Sequence, residues 1–197
     1  QHTRDSYYND TGVNNNQPDS LKEHDERLSA LFESGPFSLY VKAELAERQT
    51  GGYAYQPIAF TQFNNPFVNG ATGVPYQLNY DSKTSVSEKA FNTAAEIKYE
   101  TAGGTILRSL TGYQNKRFFA NTDLDATSLL GPVGRPQFQD QAVQEKVYTQ
   151  EINIISPTDG AFNYVLGGYY QHNLIDVLLN ITGTAPFPIV PDLHTNK

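Results

Sequence analysis

The sequence predicts an all-β chain, an antiparallel up-and-down transmembrane β-barrel of which about six strands in three hairpins are present in 197 residues. Three observations lead there. Runs of alternating polarity flank short turns, long polar and aromatic segments separate the resulting hairpins, and no run is apolar for the roughly 20 residues that a membrane-crossing helix needs. Barrel strands of about 10 residues alternate polar with apolar side chains. A mean hydropathy of −0.52 and a hydrophobic content of 38% therefore fit a barrel as well as a protein in water.

The first hairpin is expected to run over 27–32, turn at Glu33-Ser34-Gly35-Pro36 and return over 37–47. The second covers 93–99, turns through 100–104 and returns over 105–117. The third covers 147–155, turns at Ser156-Pro157-Thr158-Asp159-Gly160 and returns over 162–172. Gly at each turn, joined by Pro at the first and third, is the punctuation such reversals need. Successive strand side chains point to opposite sides. Phe37, Leu39, Val41, Ala43 and Leu45 thus share one face, and Ser38, Tyr40, Lys42 and Glu44 share the other. Ala95, Ile97 and Tyr99 oppose Glu96 and Lys98, and Ile152 and Ile154 oppose Glu151 and Asn153. The strands 105–117 and 162–172 carry mixed faces and stay unassigned.

Connections of about 4 to 6 residues alternate with long ones, 48–92, 118–146 and 173 onward. Compact domains rarely hold loops beyond about 12–15 residues. Outer-membrane barrels pair short periplasmic turns with long extracellular loops, so the asymmetry favours such a barrel over a soluble β-sandwich or lipocalin-like barrel. The first 20 residues, rich in Asn, Asp and Gln, read as a polar loop. The chain starts at Gln1 and holds no Met, so it is expected to be cut from something longer or processed.

No Cys is present, which excludes disulfides and Cys-ligated metal sites. The formal charge of −7, with no basic patch, argues against nucleic-acid binding. His2, His24, His172 and His194 are scattered and nominate no metal site. Asn121-Thr122-Asp123-Leu124-Asp125 opens like a calcium loop, but Ala126 stands where the turn needs Gly and Pro132 stands at the twelfth position, so a disordered loop is expected. No acid, base and nucleophile converge, so no catalysis and no cofactor are expected. Glu44, Glu96 and Glu151 suit a wet polar face better than a glycosidase pair.

Tyr148-Thr149-Gln150-Glu151-Ile152-Asn153-Ile154-Ile155-Ser156-Pro157, followed by Phe162-Asn163-Tyr164-Val165-Leu166-Gly167-Gly168-Tyr169-Tyr170, resembles a barrel hairpin of TonB-dependent outer-membrane receptors. Thr105-Ile106-Leu107-Arg108-Ser109-Leu110-Thr111-Gly112-Tyr113 resembles an ascending strand of the same family. The resemblance implies that residues 1–197 belong to a receptor barrel of roughly 22 strands, without its plug domain. It also implies a place in the bacterial outer membrane, lipid around the barrel, and active import of a scarce ligand such as a ferric siderophore, powered by TonB through the absent plug.

The segment 48–92 carries Tyr53, Tyr55, Phe60, Phe63, Phe67, Tyr76 and Tyr80. Aromatic faces stack on catecholate rings or sugars, and Tyr adds a hydroxyl. Tyr53, Tyr55, Phe60, Phe63, Tyr76 and, from the neighbouring strand end, Arg117 are therefore the candidate ligand residues, with self-packing of the loop as the alternative. Arg48, Lys116 and Arg117 stand where they could steer an anion. The competing reading is a soluble or secreted all-β glycan-binding domain.

Overall fold

The structure is a computed structural model that describes residues 1–56, 74–128, 137–157 and 162–182. Its strands are β1 (His2–Arg4), β2 (Asn9–Asp10), β3 (Leu21–Ser34), β4 (Phe37–Thr50), β5 (Gln77–Leu78), β6 (Ser85–Glu100), β7 (Ile106–Asp123), β8 (Phe138–Ile155) and β9 (Val165–Thr182). Seven form one antiparallel sheet in the order β1-β3-β4-β6-β7-β8-β9, and β2 pairs in parallel with β5. The six long strands form the three expected hairpins. The sheet is open, with β1 and β3 along one margin and β9 along the other, and is not closed into a barrel.

Each reversal follows from its residues. Gly35 takes φ +55° between Ser34 and Phe37, and Gly104 takes φ +76° before Ile106. Both angles lie in the left-handed region that glycine enters without steric cost. Thr101 N–H donates to the Thr105 carbonyl at 2.9 Å, closing the second turn. Ser156 N–H donates to the Tyr164 carbonyl at 2.9 Å, and Tyr164 N–H donates back to Ser156 Oγ at 2.8 Å.

The register carries one side-chain parity through the whole sheet. Leu39 faces Ile97, Tyr99 faces Leu107, and Leu107 faces Ile154, which faces Leu166. Lys42 faces Ala94, and Lys98 faces Arg108, which faces Asn153. The Leu39 face thus holds Leu28, Val41, Leu45, Phe91, Ile97, Leu107 and Ile152, all exposed. Phe91, Tyr113 and Tyr148 form a row across it with ring centroids 6.4 and 4.9 Å apart.

The opposite, Lys42 face is a charge network. Glu44 pairs with Arg27 at 2.5 Å and Lys42 at 3.3 Å, and Glu96 pairs with Lys98 at 2.5 Å and Arg108 at 2.6 Å. Nearer the long loops, Glu23 pairs with Arg48 at 3.3 Å and Glu88 with Lys116 at 3.1 Å. The mixed strand 105–117 is thereby assigned: Arg108 and Leu110 lie on the charged face, and Leu107, Ser109 and Tyr113 on the apolar one. Tyr169 and Tyr170 likewise divide between the two faces.

Four expectations require correction. The first 20 residues are not only loop, because residues 2–4 add a strand beside β3 and residues 9–10 pair with 77–78. The strands run several residues past the predicted ends, because the ladder continues through polar stretches such as residues 21–26 once a partner supplies hydrogen bonds. The segment after Asn173 remains strand to Thr182. The sheet has seven strands rather than about six, and its two margins do not meet.

No second layer covers either sheet face among the described residues. The buried hydrophobic cluster lies at the long-loop end instead, where Leu78, Tyr80 and Ala126 are packed by Tyr8 and Ala54. The chain threads this cap closely: a Cβ on Gly51 would sit 1.7 Å from the Gln17 carbonyl oxygen, whereas one on Gly103 would meet nothing within 4 Å. Gly51→Ala should destabilise the protein by roughly 1–3 kcal/mol and Gly103→Ala by less than about 0.5 kcal/mol. Thermal denaturation of the two purified variants measures the difference.

Candidate functional site

The cap is built by buried polar groups as much as by apolar ones. Asp10, 3% exposed, receives three backbone N–H donors: Gly12 and Tyr80 on Oδ1 and Asn16 on Oδ2, each at 3.0 Å. Asn16 extends the network, donating to the Ser82 carbonyl at 2.9 Å and accepting from Thr84 N–H at 3.0 Å. Thr84 Oγ1 donates to the Gly51 carbonyl at 2.6 Å. Two side chains near the N-terminus thus hold the segment entering β6, about 70 residues away in sequence, because a buried amide or carbonyl must find a partner.

Tyr80 is fully buried at the centre. Its hydroxyl donates to the Tyr55 carbonyl and accepts from Tyr55 N–H, both at 2.6 Å. Burial pushes its ionisation well above the ordinary tyrosine range, so it stays neutral. This tyrosine fixes where its neighbours stand. Tyr55 and Tyr53 are about half exposed, their rings 5.9 Å apart, and Tyr76 is exposed with its ring 5.6 Å from Tyr8.

Below these rings, on the Lys42 face, lies a cleft of about 440 Å³ lined by Arg4, Tyr8, Arg48, Tyr53, Glu88 and Phe118 among others. Arg4 is held by the Asp19 carboxylate at 2.7 Å and its carbonyl at 2.9 Å. Arg48 has Glu23, and Lys116 nearby has Glu88. Each of these cations is matched by a carboxylate, so the cleft offers aromatic faces and hydrogen bonds with little free charge.

The structure brings the rings of Tyr53 and Tyr55 together, of which Tyr53 lines the cleft, and sets Tyr76 beside Tyr8. Phe60, Phe63 and Phe67 lie outside the described residues. Arg117 stands elsewhere, on the Leu39 face, opposite Lys89 and Gln144 in the ladder. There it lines a shallow groove of about 380 Å³ with Phe119 and Leu178. Adjacent positions in a strand point to opposite sides, so Lys116 and Arg117 cannot serve one pocket. Tyr80 follows the packing alternative. Arg4 and Tyr8 were missed because nothing local in a polar stretch reveals that β1 docks on β3.

The segment expected to be a disordered loop after Asn121 is ordered through Ser128. Asp123 and Asp125 are 1% and 5% exposed, and Ala126 itself takes the left-handed turn at φ +55°. Asp123 accepts Ser82 N–H at 3.1 Å and Ala126 N–H at 2.7 Å, and Asp125 accepts Thr127 N–H at 3.1 Å. Asp81 completes an acidic group in which one carboxylate oxygen from each residue lies within 4.8 Å of the others. Two like charges no farther apart than that repel by at least roughly 3.5 kcal/mol at an effective dielectric of about 20. Burial first, and Asp125 with it, raises the pKa of Asp81 above the ordinary carboxylate range.

No protein-family model matches the chain, and no curated protein or solved structure matches it either.

Tyr80→Phe should remove the hydroxyl that satisfies both backbone groups of Tyr55 and lower the cap's stability by roughly 1–3 kcal/mol. Faster limited proteolysis between residues 50 and 85, with the sheet's far-ultraviolet signal unchanged, is the expected result.

Proposed function

We propose that this chain is part of the barrel of a TonB-dependent receptor in the bacterial outer membrane, importing a scarce ligand such as a ferric siderophore. The observation that carries the reading is the pairing of an uncovered apolar face with an ion-paired one on a single sheet. A sheet in water hides one face under a second layer, and the Leu39 face has none among the described residues. Large contiguous apolar surface in water is a liability; facing hydrocarbon, it is a requirement. The span 37–45 of β4 alternates Phe, Leu, Val, Ala and Leu on that face, close to the 9–11 residues that a tilted strand needs to cross. The Lys42 face, with Glu44 paired to Arg27 and Lys42 and Glu96 paired to Lys98 and Arg108, suits a wet lumen.

Position along the strands supports the same reading. All three short turns lie at one end and all the long connections at the other, as periplasmic turns and extracellular loops do. Hydrocarbon does not tolerate open sheet margins, so β3 and β9 pair with further strands of the same barrel. The cleft under Tyr53 opens on the lumen side of the loop cap, where an incoming ligand meets the receptor. Paired cations leave stacking and hydrogen bonding to recognise it, as a catecholate ring bound to ferric iron allows. TonB acts through a plug outside these residues, and the strands themselves perform no catalysis.

Two experiments test this reading. Val41→Arg, on the apolar face, should cost roughly 2–4 kcal/mol and deplete the heat-modifiable form from the outer-membrane fraction, whereas Ala94→Arg on the charged face should cost less than about 1 kcal/mol. Equal tolerance of both variants counts against a lipid-facing Leu39 side. Uptake of a panel of radiolabelled ferric siderophores by cells carrying the full-length protein should collapse with the proton gradient. For the transported member, Tyr53→Ala should lower uptake about tenfold, consistent with the loss of one stacked ring and its contacts. Uptake of no member rejects the ferric-siderophore class.

A further inference from the structure

We propose that the groove between Lys89, Arg117 and Asp176 on the Leu39 face seats a phosphorylated, acylated glycolipid of the outer leaflet, with its phosphate on Arg117. The site rests on the outer-membrane reading above, since that reading sets the Leu39 face against lipid. Height is the first support. From Leu107 to Arg117 the strand climbs ten residues, which is about 34 Å along β7 and about 26 Å across a bilayer at a tilt of about 40°. The apolar band of such a barrel is about 25 Å tall. With Leu107 at its inner edge, beside the short turns, Arg117 stands at its outer edge, level with the lipid headgroups.

Charge is the second. Lys89 lies directly opposite Arg117 in the ladder, and like charges so placed repel. The same juxtaposition on the other face, Lys98 opposite Arg108, is resolved by Glu96, which pairs with both. On the Leu39 face Glu47 pairs with Lys89 at 2.8 Å from the far side. Neither Arg117 nor Lys146 forms an ion pair among the described residues. Arg117 faces Gln144, so Lys146 is its diagonal neighbour one row inward, with the strands bringing the two within about 7–8 Å. Asp176 faces Gln144 from β9, two strand spacings or about 10 Å from Arg117, beyond a Debye length of about 8 Å at physiological salt. Arg117 and Lys146 thus converge without a carboxylate, and a phosphate offers both of them charged acceptor oxygens.

Shape is the third, and it decides for a glycolipid. Inward of Arg117 the next row holds Phe91 and Leu174, followed by Tyr113 and Tyr148, a surface for acyl chains. Outward, Phe119 faces Ala142, which faces Leu178. A small side chain between two exposed apolar ones leaves the groove of about 380 Å³. A sugar ring stacks on Phe119 there, and its hydroxyls donate to the Asp176 carboxylate and the Gln144 amide oxygen. The headgroup of a phospholipid without sugar brings no ring to that hollow.

The test is native mass spectrometry of the full-length protein, purified in detergent, delipidated and titrated with bisphosphorylated lipid A. One lipid A should bind, and dephosphorylated lipid A and phosphatidylglycerol should each bind at least about tenfold more weakly. Arg117→Gln combined with Lys146→Gln should lower lipid A affinity by a similar factor, while Lys83→Gln on an exposed connection leaves it unchanged. Arg117→Lys, which keeps the charge, should retain most of the affinity, and heat-modifiable migration verifies that each variant is folded. Undiminished affinity in the double variant overturns the proposal, as does equal affinity for the dephosphorylated lipid. Equal affinity for phosphatidylglycerol overturns the assignment to a glycolipid. A wild type that enters the outer membrane but binds no lipid A overturns this site alone, whereas recovery in the soluble fraction overturns the barrel reading beneath it.

Discussion

One hydrogen-bonded ladder carries two faces of opposite polarity, and no second layer lies against either face among the described residues. Everything else follows from that constraint. The ladder satisfies the backbone of the inner strands β4, β6, β7 and β8 on both sides, so there the side chains alone determine what each surface can touch. On one side Leu, Ile, Val, Phe and Tyr dominate, with the Glu47–Lys89 and His24–Glu26 pairs toward the long connections; on the other, Glu44 and Glu96 each hold two cations. Such ion pairs stabilise a surface only modestly. Their value is in specifying which face stays wet, since a one-residue slip of register would turn the whole charged set to the other side.

The cap solves a different problem with the same means. A cluster as small as Leu78, Tyr80 and Ala126 cannot order the described residues of these connections by apolar burial alone. Asp10, Asn16 and Asp123 instead take up backbone N–H groups from distant segments, so that loop geometry is set by hydrogen bonds that have few alternatives. Rigidity then passes from Tyr80 through Tyr55 to Tyr53 and the cleft. On the proposed reading this arrangement favours recognition, because a pre-ordered ring loses little freedom when a ligand stacks on it.

How much of this could be read beforehand varied with the range of the interaction involved. The β4 parity was legible because Phe37, Leu39, Val41, Ala43 and Leu45 alternate without interruption. The strand 105–117 was not, because Arg108 and Leu110 share a side and only pairing with β6 shows that Arg108 meets Glu96. The Asp123 and Asp125 alternation was visible, yet its meaning was not: Asp81 lies about 40 residues upstream, and the register that sets Ser85 opposite Asn121 brings it near. Phe60 and Phe63 lie outside the described residues, so the structure places only Tyr53, Tyr55, Tyr76 and Arg117 of the candidate set.

By itself the sequence determined the all-β class, the three hairpins, the polarity of the clearest strands and the contrast between short and long connections. Those properties are local, set by side-chain period and by turn residues such as Gly35 and Gly104 that act within a few positions. Only the tertiary structure decided that the N-terminal stretch docks on β3 and β5, that Lys116 and Arg117 part company, that the margins stay open, and that three aspartates meet. Each of those depends on strand register and on contacts across tens of residues, where a buried N–H or carboxylate takes whichever partner the fold brings within about 3 Å.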